Sequence, residues 1–306
     1  MKVSELSKHA LFAILQRGEL CIDMFPFVVR VRSDISELAE DIGRIYQDFT
    51  VLDSNCFSDF HVEVSYERGV RRWFRPLARF YFDGRPSFIP LPVDQAFPML
   101  EWGINWCVAA HSHSFLIVHA AVIERQGVAV VMPAPPGSGK STLCAALIGR
   151  GWRLLSDELA LYDFETKQLY GMARPVSLKN QSIPIIQAHT PAAEITSPVP
   201  DTTKGTVALL RPPSESVQQV KIPARPAWII LPHYQVDADA LLEPLSKGKA
   251  FMLIAEQSFN YNVHGREGFE AVGDLVDSCE CFQFTYSRLS DAERVFDDLL
   301  ARRING

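Results

Sequence analysis

The chain has 306 residues, of which 47% are hydrophobic and 22% charged, with a formal net charge of −6. That length holds one large core or two modest ones, and ordinary domain sizes favour two. Acidic and basic residues are mixed rather than blocked, so no basic stripe argues for a nucleic-acid partner, and no run of about 18 apolar residues argues for a membrane span.

The N-terminal segment MKVSELSKHALFAILQRGEL lacks the cleavage site of a signal peptide. Residues 4–17 have helical periodicity, and 20–31 read as an extended apolar segment ending in the alternation Phe27-Val28-Val29-Arg30-Val31-Arg32. An amphipathic helix is predicted over 34–49, with Ile35, Leu38, Ile42 and Ile45 on one face. Strand signals follow at 61–66 and 78–89, the second turning at Asp83-Gly84. Together these make a small α+β domain over 1–94, ahead of a second domain over 95–306.

The second domain is predicted to open with a helix over about 95–110. Two β-rich runs follow, 115–124 and 127–134, joined by Arg125-Gln126-Gly127; the second is nearly all apolar, as a strand buried on both faces is. Next come a helix over 141–150, a short strand over 152–155 and a pair of strands within 159–170. Residues 188–226, rich in Pro, Thr and Ser, read as a long and mobile loop region. A buried strand is predicted over 227–232, and helices over 247–257, 266–278 and 290–303. The six cysteines are scattered, and Cys279-Glu280-Cys281 has no second pair to complete a zinc site, as expected of free thiols in a cytoplasmic protein.

Residues 134–141, Ala-Pro-Pro-Gly-Ser-Gly-Lys-Ser, match the phosphate-loop pattern with Ala134 in place of the first glycine. The motif requires a strand before it and a helix after it, and both are predicted. Gly137 and Gly139 let the backbone curl so that N–H groups, including that of Ser138, point at phosphate oxygens, while the helix adds the positive end of its dipole. Lys140 is expected to reach the β- and γ-phosphates, and the Ser141 hydroxyl to ligate Mg²⁺. Pro135 and Pro136 stiffen the loop and bring no N–H, so the cradle rests on residues 137–142, ending at Thr142.

The strand at 152–155 runs into Ser156-Asp157-Glu158, which places two carboxylates beside the loop. One can hold Mg²⁺ and the other can take a proton from an attacking hydroxyl; an ordinary solvated turn is the plainer alternative. His119 lies in the strand before the loop strand, where a core histidine and a site histidine fit its apolar neighbours equally well.

The stretch 119–161, HAAVIERQGVAVVMPAPPGSGKSTLCAALIGRGWRLLSDELAL, resembles the catalytic domain of HPr kinase/phosphorylase in the order and spacing of its parts. More loosely, the segments RPVSLKN (174–180), DTTKGTVALLRPP (201–213), PAWIILPHY (226–234) and SFNY (258–261) are similar to the diverged HPr kinase-related proteins. Some of those occur with peptide-modification systems and include kinases of lasso-peptide precursors. The resemblance implies an α/β fold with a P-loop kinase domain of the HPr kinase/PEP carboxykinase-like type, with ATP and Mg²⁺ as cofactors. It places Asp157 on the catalytic aspartate, Glu158 on the second acidic position as a metal ligand with Ser141, and His119 on the histidine near the active site. Two departures stand out: the second acid is Glu rather than Asp, and the family's glutamate followed by an Ile-Arg-Gly-Leu-Gly-like run is missing. The activity expected is transfer of the ATP γ-phosphate to a serine hydroxyl of a peptide or small protein, by a homo-oligomer. The alternatives are an ATP-regulated peptide-binding module, a plain ATPase, and HPr serine kinase/phosphorylase itself. By the same resemblance Arg174, Lys179, Lys204 and Arg211 are candidate cations for the γ-phosphate, Lys204 first because Thr-Lys-Gly makes a flexible tip.

Overall fold

The computed structural model of the chain describes residues 1–69, 74–135 and 137–305, and among these the backbone forms three sheets flanked by helices. After a 3₁₀ turn at Val3–Glu5, helix α1 (Lys8–Arg17) starts where Ser7 accepts a hydrogen bond from the Ala10 N–H and ends at Gly18 in the left-handed conformation. The apolar segment that follows is a hairpin, β1 (Leu20–Met24) and β2 (Phe27–Arg32), rather than one extended run. Helix α2 (Ser36–Ile45) then crosses over so that β2 pairs in parallel with β4 (Phe60–Tyr66), after the short β3 (Thr50–Leu52). This helix is shorter than its periodicity predicts, because the Asp34 carboxylate is taken up by the Tyr66 N–H and Tyr46 turns its ring into the core. Strands β5 (Leu77–Phe82), β6 (Arg85–Pro86) and β7 (Leu91–Pro92) complete a sheet of order β3-β1-β2-β4-β5-β6, with β7 on β5.

Helix α3 (Ala96–His111) lies across this first sheet. Gly103 permits the approach: a β-carbon there would stand 2.0 Å from the Phe80 ring. One apolar cluster runs from the first sheet and α3 into Phe115, Ile117, Leu159 and Leu161, so the change of sheet near residue 94 is not a break in packing.

The second sheet begins with the antiparallel pair β8 (Phe115–Arg125) and β9 (Val128–Pro133), followed by helix α4 (Lys140–Gly149). Strands β10 (Arg153–Ser156) and β11 (Leu159–Asp163) both pair with β8, and β12 (Leu169–Tyr170) with β11. The chain leaves this sheet for β13 (Val176–Lys179), helix α5 (Ser182–His189), β14 (Val199–Thr202), β15 (Gly205–Leu210) and the short helix α6 (Ser214–Gln218). It returns through β16 (Arg225–Tyr234), β17 (Leu241–Pro244), helices α7 (Lys247–Gln257), α8 (Tyr261–His264) and α9 (Arg266–Ser278), β18 (Glu280–Tyr286) and helix α10 (Leu289–Asn305).

Within the second sheet β9, β16 and β18 run parallel. Successive side chains of β9 serve opposite faces, as strand geometry dictates. Val130 and Met132 join the cluster under α4 and α10, while Ala129 and Val131 join the cluster under α7 and α9. Helices therefore cover both faces, which explains why β9 is apolar throughout.

The long loop expected over 188–226 is not found, since β14, β15 and α6 lie within it. Val207–Leu210 is a buried run at the centre of a three-stranded sheet, β13-β15-β14, and its apolar pairing outweighs the surrounding Pro, Thr and Ser. All six cysteines are free thiols. Among the described residues no helix is long and apolar enough to cross a membrane.

Candidate functional site

The loop 134–139 leaves the C-terminal end of β9 and enters α4. Pro136, expected to take part in binding, lies outside the described residues. Gly137 and Gly139 adopt φ of +88° and +90°, a region that side chains with a β-carbon rarely enter. Space also demands glycine at 139, where a β-carbon would lie 2.6 Å from the Tyr286 hydroxyl. That hydroxyl donates to the Gly139 carbonyl (3.1 Å), and the Tyr234 N–H donates to the Ser138 carbonyl (3.0 Å). The ends of the parallel strands β16 and β18 thus hold the loop in its curled form. No side chain among the described residues caps α4, so its first amides stay available to an anion.

The loop opens on a cavity of about 1430 Å³. Residues 137–142 line it together with His119, Glu158, Lys179 and Lys204, and Ile185 and Leu289 lie along it. It sits at the carboxyl ends of the parallel strands, the usual place for a ligand in an α/β sheet.

Three predicted residues meet at one ring. His119 points from β8 with its Nε2 2.9 Å from Glu158 Oε2 and 3.1 Å from Lys140 Nζ, while Nδ1 is 3.3 Å from Gln257 Oε1. Protonated, the ring donates to Gln257 and Glu158. Neutral with its hydrogen on Nδ1, it donates to Gln257 and accepts from Lys140. Burial by itself would raise the Glu158 carboxyl, but the His119 hydrogen bond and the Lys140 and Lys179 charges prevail and bring it down to about 2.

Asp157 stands apart. It is 3% exposed, outside the cavity lining, and its Oδ2 accepts from the Ser177 N–H (3.1 Å). Its Oδ1 is buried with no hydrogen-bond partner among the described residues. Burial and the neighbouring Glu158 charge push it up to about 6, against Lys140, the Ser177 amide and the Ser141 hydroxyl.

Among the described residues no cluster of three or more His, Cys, Asp or Glu side chains forms a metal cage. Magnesium does not need one, since it keeps several waters and leans on phosphate oxygens with one or two protein ligands. The orphaned Asp157 Oδ1 beside the Ser141 hydroxyl fits that requirement.

No family model matches the chain, and no curated protein matches it to a significant degree. Its chemistry is therefore read from the site.

Of the four candidate cations, two reach the cavity. Lys179, at the end of β13, and Lys204, between β14 and β15, both line it. Arg174 is instead buried, 3.1 Å from Glu101 Oε2 and 2.7 Å from Asn105 Oδ1 on α3, because a guanidinium so deep requires a carboxylate. Arg211 pairs with Glu194 (2.6 Å) and Asp48 (3.5 Å). Tyr234 and Tyr286 were not singled out from the sequence; the alternation in Glu280–Tyr286, which marks the second of their strands, was the available signal.

Proposed function

We propose that this chain is a P-loop phosphotransferase, of the HPr kinase/PEP carboxykinase-like type, that moves the γ-phosphate of ATP to a serine hydroxyl of a peptide or small protein. The observation that carries the reading is the uncapped α4 N-terminus, its glycine loop and Lys140 opening on the same cavity as the His119–Glu158 pair.

The amides of 137–142 bind the phosphates and Lys140 swings to them from His119 Nε2, leaving that lone pair free. In the transfer, the acceptor hydroxyl gives its proton to His119 Nε2 as its oxygen bonds the γ-phosphorus. The bond from that phosphorus to the β–γ bridging oxygen breaks, and ADP leaves with the electron pair. Glu158, held as a carboxylate, stabilises the imidazolium. Ser141 and Asp157 would hold Mg²⁺, which supplies charge neutralisation across the β- and γ-phosphates. This division gives the proton to the His119–Glu158 pair rather than to Asp157, the residue to which the family resemblance assigns it, because His119 and Glu158 line the cavity whereas the buried Asp157 carboxylate is engaged by the Ser177 N–H and the Ser141 hydroxyl. The free thiols fit a cytoplasmic setting.

The test is to incubate the full chain with Mg²⁺, γ-labelled ATP and serine-containing peptides. Label on peptide supports the proposal. Bound but intact ATP points to a nucleotide-gated binding module, label in free phosphate to an ATPase, and failure to bind ATP overturns the reading.

A further inference from the structure

We propose that Lys204 is a second catalytic cation, seated on Trp102 so that its ammonium meets the phosphoryl group as it leaves ATP. This rests on the phosphotransferase reading of the cavity.

The geometry begins with the turn that carries Lys204. Rather than a flexible tip, it is tied on every side. Thr202 Oγ1 donates to the Gly205 carbonyl (2.6 Å) and accepts from the Lys204 N–H (3.0 Å). Gly205 has φ of +84°, and a β-carbon there would lie 2.4 Å from Asn180 Oδ1. Asn180 exchanges hydrogen bonds with Thr206, donating to its carbonyl (2.9 Å) and accepting from its N–H (3.0 Å). On the far side, Gln95 Nε2 donates to the Asp201 carbonyl (3.4 Å). The turn is thereby fastened both to the strand end bearing Lys179 and to the segment that starts α3.

The seat of the ammonium is the second observation. Lys204 Nζ lies 4.9 Å from the centroid of the Trp102 ring on α3. Among the described residues no carboxylate lies within ion-pair distance of Lys140, Lys179 or Lys204, and Glu158 is the only carboxylate lining the cavity. An aromatic face holds a cation without cancelling its charge, so the charge remains available to an incoming anion. Burial and the charges of Lys179 and Lys140 lower the Lys204 pKa, while Glu158 opposes them. Three like charges around one cavity are costly until an anion enters, and Lys204 comes from a different wall than Lys140. The loop and Lys140 serve the bound phosphates; Lys204 lines the same cavity as Glu158 and His119. In a loose transition state, negative charge spreads over the equatorial oxygens of the transferring group, and a cation placed there stabilises it more than the ground state.

The test measures binding rather than turnover, on the full chain with Mg²⁺. ADP alone is compared with ADP plus aluminium fluoride, which imitates the transferring phosphoryl group. The wild type is expected to bind the fluoride complex more tightly. Lys204→Met should lose about tenfold or more of that gain with ADP affinity kept within about threefold, and Lys204→Arg should recover most of it. Trp102→Leu should lose part of the gain, as a positioning residue would, with far-ultraviolet circular dichroism confirming that each variant is folded. If the wild type shows the gain and folded Lys204→Met keeps all of it, Lys204 has no such role while the phosphotransferase reading stands. If the wild type binds ADP but fluoride adds nothing, the assignment of Lys204 fails. If it binds neither, the phosphotransferase reading fails and takes this inference with it.

Discussion

Lys140 and Glu158 converge on a single atom, Nε2 of His119, with the ammonium at 3.1 Å and the carboxylate at 2.9 Å. A neutral ring can serve only one of them, so the two contacts compete. On the proposed reading, phosphate at the loop draws Lys140 away and frees the Nε2 lone pair for the acceptor's proton, and only the ring so protonated donates to Glu158.

Removing the ammonium should therefore weaken nucleotide binding without unfolding the site. For Lys140→Met we expect MgATP affinity to fall about ten- to hundredfold, the range of one lost charge-assisted hydrogen bond. Isothermal titration calorimetry checks this; unchanged affinity would remove Lys140 from the nucleotide site.

The two adjacent acids should fail in different ways. Glu158→Gln is expected to slow transfer by about a hundredfold or more at saturating Mg²⁺, as loss of acid–base assistance does. Asp157→Asn should instead raise the Mg²⁺ concentration needed for half-maximal rate. A magnesium titration of both variants decides the assignment. Loss of rate in Asp157→Asn that no magnesium restores would return the role of base to Asp157.

Stability should follow pH through Asp157. Its folded pKa of about 6 lies above the ordinary aspartate value of 3.8, so the folded state holds the proton more tightly than the unfolded one. The corresponding stability is fully present below about pH 4 and is lost as pH rises through 6. Asp157→Asn, which cannot ionise, should then be more stable than wild type at pH 7 by about 3 kcal/mol, the gap closing as pH falls below about 4. Urea denaturation at pH 7 and pH 4 measures it, and a gap that does not change between the two would contradict the account.

Much of this arrangement could be read locally. The glycine loop, Lys140 and Ser141 follow from a contiguous motif between a doubly buried strand and a helix, and β9 and α4 appear where that pattern puts them. What escaped depends on partners remote in the chain. The apolar run at Val207–Leu210 becomes a strand only by pairing with Val176–Lys179, and the destinations of Arg174 and Arg211 are set by acids at 101, 48 and 194. Lys204 looked flexible from Thr-Lys-Gly alone; Asn180 and Trp102, which restrain it, lie outside that tripeptide.

The hydroxyl of Tyr286 offers a gentler perturbation. Tyr286→Phe keeps the ring against Phe284 but gives up the bond to the Gly139 carbonyl. The loop should lose about 1 kcal/mol of restraint, seen as a roughly fivefold weaker nucleotide affinity. Equal affinity in variant and wild type would mean that the loop keeps its shape unaided.

Gly103 sits one position after Trp102, pressed so closely on Phe80 that the first sheet and α3 mesh like a tooth and its notch. Any side chain at 103 forces either the Phe80 ring or the helix to move, and where the helix gives way the indole beneath Lys204 travels with it. The amino-terminal sheet thus acts as the datum against which a charge in the distant cavity is set, and damage to that seating would be felt in the chemistry without touching a single residue that lines the pocket.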